Sequence, residues 1–167
     1  MAQSGFTLSD EGRTITVCND SGTTAIVTGD LLCCATNNDV MTGTAASARN
    51  AYAGGDILVK RMADSATGYK TTIGVALEDI PADGYGAAAM EGVFIHPVSA
   101  DTEAGQALFG AASANKVVKI TDAVMASATT TGMTNIKTSV DNQRYKVGRA
   151  LTGGSTDGKY IVWKMTV

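Results

Sequence analysis

Histidine, cysteine, proline and charge are all scarce in this chain, and each scarcity removes a class of function. One histidine, His96, is present, without a second imidazole or a serine-nucleophile elbow to complete a nucleophile–base pair. It stands directly before Pro97 at the end of an apolar run, a position that reads as structural. The three cysteines, Cys18, Cys33 and Cys34, are an odd number, and the adjacent pair on one strand would point to opposite faces. A full disulfide framework is excluded. With neither a Cys-x-x-Cys spacing nor a nearby histidine, zinc is not expected, and the thiols read as small buried hydrophobes of a protein folding in a reducing cytoplasm.

Charged residues make up 17% of the chain and the net charge is −3. Lys60-Arg61 is the only adjacent basic pair, so no cluster exists to neutralise phosphates and no nucleic-acid partner is expected. No apolar run approaches a membrane span, and Met1 to Gly5 lacks the basic segment and apolar core of a secretory signal. Membrane association is therefore not expected. The glycine-rich stretches 53–56 and 153–158 lack the Gly-Lys-Ser/Thr ending of a phosphate loop and read as turns. Asp39, Asp64, Asp83 and Asp157 lack calcium-loop spacing. Glu78 and Asp79, adjacent on an expected strand, would face opposite sides and are poorly placed for paired acid–base work. They are expected to solvate a turn or meet a basic partner. No enzymatic activity, metal or cofactor is expected.

What the chain does have is nineteen glycines against two prolines, with abundant Ala and Thr: the composition of a loop-rich β protein. The fold class expected is all-β, a small antiparallel barrel or tulip-like domain with long loops. Residues 1–8 form a flexible N-terminal arm and residues 9–167 a single β-rich domain with a loop insertion near 37–54. Alternation predicts strands over Arg13–Cys18, Asp30–Cys34, Asp56–Met62 and Tyr69–Leu77, the last two joined as an antiparallel hairpin. Further hairpins are predicted from Gln106–Gly110 with Lys116–Thr121, and from Tyr145–Leu151 with Tyr160–Met165. Residues 122–138 read mostly as loop.

The stretch from Ile73 to Val98 organises the rest. Ile73, Val75 and Leu77 alternate, Pro81, Asp83, Gly84 and Gly86 supply a turn, and apolar character resumes at Val93. The same phrase returns as Val147-Gly148-Arg149-Ala150-Leu151, a glycine-rich turn and the strand Tyr160–Lys164. The glycines in second place of each copy, Gly74 and Gly148, predict a bulge or a bend where another backbone comes close.

Gly55–Val59, Ile73–Val98, Glu103–Phe109 and Val147–Leu151, in that order, resemble the head decoration, or capsid cement, proteins of tailed phages. The resemblance implies a domain on the outside of an icosahedral head, as a homotrimer, clamping neighbouring major capsid subunits to stabilise the mature shell. It also implies synthesis in the host cytoplasm and residence in the virion. Contact candidates are Phe6 and Leu8 in the arm and Met41, Arg49 and Tyr52 in the long loop. Tyr85, His96 and Trp163 are candidates either for subunit contact or for anchoring the core. The alternative function is a tail- or fibre-associated adhesin module that uses the same scaffold to bind a host receptor or glycan.

Overall fold

The computed structural model describes residues 7–9, 13–21, 23–35, 57–65, 71–111, 114–120, 145–155 and 158–166. Among these residues eleven strands run in chain order: β1 Thr7–Ser9, β2 Thr14–Asn19, β3 Leu31–Cys34, β4 Ile57–Arg61, β5 Thr72–Ala76, β6 Tyr85–Ala89, β7 Glu91–Pro97, β8 Ala107–Gly110, β9 Val117–Lys119, β10 Gly148–Ala150 and β11 Tyr160–Thr166. A 3-10 turn occupies Met62–Asp64. The protein is all-β. One sheet closes as a barrel in the order β2-β4-β3-β5-β6, and the other is six-stranded in the order β1-β7-β11-β10-β8-β9.

The two lobes are copies of one unit. In the first, β3 pairs with β5 through Leu31↔Val75 and Leu32↔Gly74; in the second, β8 pairs with β10 through Ala107↔Arg149 and Leu108↔Gly148. Cys33↔Lys60 and Cys34↔Val59 between β3 and β4 repeat as Phe109↔Val118 and Gly110↔Val117 between β8 and β9. The turn bonds repeat too. Gly29 N donates to Ala76 O and Gly105 N to Ala150 O, both at 2.8 Å, and the two glycines have φ of 86° and 87°. Barrel closure in the first lobe is a parallel pairing of β2 with β4 that ends at Asn19↔Val59. Its counterpart is the single parallel bridge Val98↔Val117, between the residue that follows β7 and the first residue of β9.

The glycine expectation holds in both copies. A Cβ on Gly74 would collide with the carbonyl oxygen of Ala89, and one on Gly148 with that of Lys164. In each case the carbonyl belongs to the residue across from the glycine's next neighbour, since Val75 faces Ala89 and Arg149 faces Lys164. The register between β3 and β5 also shifts between Leu32 and Cys33, whose partners are Gly74 and Thr72. Ile73 is the extra residue. It packs with the barrel interior while Val75 belongs to the interlobe cluster, so the bulge breaks the expected Ile73–Val75 alternation.

Other expectations change. Residues 57–61 and 72–76 are not a hairpin, because β3 lies between them: β4 pairs antiparallel with β3 and parallel with β2. The barrel is thus antiparallel except for this closing pair. Tyr85–Ala89, expected to be turn and spacer, is a strand in its own right, paired with both β2 and β5. Thr7 and Leu8, expected in the arm, fall in β1, which pairs with β7. The expected hairpins in the second half are present as β8–β9 and β10–β11.

Two apolar clusters hold the layers. Val17, Ile26, Leu32, Val59, Ala76, Ile80 and Ala88 fill the first barrel. The second cluster joins the outer side of that barrel, through Leu31, Cys33, Met62, Val75 and Ala89, to Phe94, Leu108, Val117, Ile161, Trp163 and Met165 of the second lobe. Where the first lobe has Ala88 opposite Ile15, the second has Trp163 opposite Phe94. Those two rings lie 5.9 Å apart between centroids.

Candidate functional site

The buried polar groups are tied into the scaffold. His96 is fully buried on β7. The indole Nε1–H of Trp163 donates to His96 Nδ1 at 3.1 Å, and His96 Nε2 lies 2.9 Å from Gly29 O. An indole N–H can only donate, so Nδ1 carries the lone pair and Nε2–H donates to the Gly29 carbonyl. The imidazole is a neutral latch between the lobes. Burial lowers its pKa to about 4 against the opposing effect of the Gly29 bond.

A second interlobe latch is Asn115. Its Oδ1 accepts from Leu31 N at 2.7 Å and its Nδ2 donates to Asp30 Oδ1 at 3.0 Å. Asp30 Oδ2 accepts from Val27 N, and burial raises this carboxyl's pKa. In the second lobe Gln106 takes the equivalent position, with Oε1 accepting from Glu103 N at 2.9 Å. Inside the first barrel, buried Asn19 donates to Thr24 O and Pro81 O and accepts from Ser21 N.

Glu78 and Asp79 solvate the bend after β5. Glu78 Oε1 accepts from Ala87 N at 2.8 Å, and Thr152 Oγ1 accepts from Val162 N at 2.9 Å in the other copy. Asp79 Oδ1 accepts from both the backbone N and the hydroxyl of Thr28, and these bonds lower its pKa. Cys18 and Cys33 are buried and Cys34 is partly so, all as free thiols. Burial raises the pKa of Cys33 and Cys34, which disfavours the reactive thiolate. Among the described residues there is no cluster of three or more metal-ligating side chains and no helix long and apolar enough to cross a membrane.

The large exposed apolar side chains among the described residues are Val27, Tyr85, Leu151 and Tyr160. Tyr85 and Tyr160 are equivalent: each opens the last strand of its lobe, opposite Cys18 and Pro97 respectively. Tyr85, a sequence candidate, is 51% exposed. His96 and Trp163 are both fully buried within the chain. They are core anchors and leave the set of contact candidates, because neither presents atoms to a partner. Leu8 falls in β1, and Phe6, Met41, Arg49 and Tyr52 lie outside the described residues.

Sequence reasoning passed over Tyr160, Leu151, Arg149 and Lys164. The signal was available, since all four sit at outward positions of the second copy of the repeat. A shallow cleft between 101–104 and 153–155 also belongs to this copy. Its first-lobe counterpart is closed by the Thr28–Asp79 bonds, whereas Ala104 and Gly153 cannot make them.

No family model matches the chain and no curated protein matches it. Among solved structures it is similar to the N base of the head fibre gp8.5 of bacteriophage phi29, with a TM-score of 0.47 and 12% identity over 92% of this chain and 93% of that one.

Proposed function

We propose that this chain is a phage head decoration protein, which binds the outer surface of an icosahedral head and bridges major capsid subunits. One observation carries the reading. The duplicated fold presents the same aromatic twice, Tyr85 and Tyr160, each about half exposed at the same point of its lobe. A chain with two like contact points is suited to hold two like neighbours, and aromatic residues are enriched where protein interfaces form. The ordered resemblance of its segments to decoration proteins supports the same reading. The committed state of His96, Asn19 and Asp30 fits a rigid binding module.

The mechanism is linkage. Copies that bind only the mature arrangement of subunits shift the shell toward it by their binding free energy, and association into trimers would slow release through avidity. Co-sedimentation with cognate heads that lack the protein, before and after expansion, tests this. Saturable binding to expanded heads alone is expected. No saturable binding to either form refutes the reading, and binding to host cells without heads would assign the scaffold to an adhesin.

A further inference from the structure

The two lobes pack head to tail, so their equivalent faces have different surroundings. In the first lobe the outer face of β5 and β6 carries Val75 directly opposite Ala89, both buried under the second lobe. The same two positions in the second lobe are Arg149 and Lys164, again directly opposite one another and both exposed. Like charges directly across a sheet repel, so this pair costs stability where the other copy of the fold uses an apolar pair. No carboxylate among the described residues pairs with either cation; Arg149 Nη1 donates only to Gly105 O. Around them the face carries apolar residues, with Thr166 and Glu91, which pairs with Arg13, at its edge. Val93, Ile95 and Val162 are half-buried, and Leu151, the counterpart of the covered Leu77, is 48% exposed.

Two unneutralised cations in register beside apolar side chains, on a chain of net charge −3, are complementary to a protein surface that brings carboxylates flanked by apolar side chains. We infer that the outer face of β10 and β11, centred on Arg149 and Lys164, docks on an acidic patch of the protein partner. The inference rests on the reading of this chain as a protein-binding module and identifies which face the partner covers. Leu151 and Val162 would supply the desolvated contact, and the two cations its orientation and on-rate.

The test uses the full chain in wild-type form, with Arg149→Glu and Lys164→Glu made singly. The double variant Thr14→Glu/Thr16→Glu, on the exposed side of β2, matches the charge change of one reversal elsewhere. Each reversal leaves opposite charges across β10 and β11, so the fold is expected to persist, checked by an unchanged or raised melting temperature. The first probe is a soluble peptide of alternating glutamate and leucine, followed by amide chemical shifts. Shifts are expected at 148–151 and 160–166, weakening with added salt. Each reversal should reduce affinity about tenfold, against less than about twofold for the control.

The second probe is the stripped, expanded head, for which the same ranking is expected. Peptide shifts placed elsewhere, or reversals that bind the peptide as well as wild type does, would overturn the assignment. Concentration-dependent self-association abolished by the reversals would overturn it too, by giving the face to a second copy of this chain. Wild type that binds the peptide here but fails to sediment with heads would uphold the face and refute the head reading alone.

Discussion

Acid should loosen this protein through one side chain. His96 is neutral in the fold because its Nδ1 must accept from Trp163 and because it is fully buried, which holds its pKa at about 4. In the unfolded chain it would titrate near ~6.5. A folded pKa below the unfolded one means that the unfolded chain binds the proton first, so stability is full above the unfolded value and declines as pH falls toward the folded one. The two values imply a loss of roughly 2 kcal/mol by pH ~5 and roughly 3 kcal/mol by pH ~4. Asp30 acts the other way: burial raises its pKa, so protonating it in the fold offsets part of the loss. The informative quantity is therefore the difference between wild type and His96→Gln, whose amide can accept from Trp163 and donate to Gly29 but does not titrate. Urea unfolding followed by emission of the single tryptophan, from about pH 7.5 to about pH 4, should show wild type losing stability relative to the variant across this window. Parallel profiles would refute the latch.

The repeat makes matched predictions. Gly74→Ala and Gly148→Ala should each destabilise by roughly 2–4 kcal/mol, since backbone faces the added methyl. Gly105→Ala meets open space at φ +87° and should cost only about 1 kcal/mol of backbone strain, so thermal melts should rank it mildest. Asn115→Ala orphans Leu31 N and removes the bond to Asp30, costing about 1–3 kcal/mol by denaturant titration. Trp163→Ala should cost about 3–5 kcal/mol, and Trp163→Phe less, although it leaves His96 Nδ1 without its donor.

Local alternation made the second lobe legible. In β8, β9 and β11 large apolar residues such as Leu108, Val117, Ile161, Trp163 and Met165 mark the buried positions. The first lobe hides its strands better. Gly86-Ala87-Ala88-Ala89 carries no strand propensity, because the barrel and the Gly74 approach leave room only for small side chains there. Long-range order was illegible for a different reason: nothing local to β4 and β5 reveals that β3 inserts between them, or that β2 joins β4 in parallel. The Gly74 and Gly148 phrase exposed one corner of the duplication. The remaining equivalences, Gly29 with Gly105 and Asp30 with Gln106, reside in backbone bonds that unlike side chains can make equally well.

The shared cluster between the lobes bears on how the protein comes apart. The first lobe's outer wall of Leu31, Cys33, Met62 and Val75 is buried only while the second lobe stands against it. A single residue, Met90, separates β6 from β7. Neither half is an independent thermodynamic unit, so a chain made of two similar lobes should melt in one transition, with calorimetric and van't Hoff enthalpies in agreement.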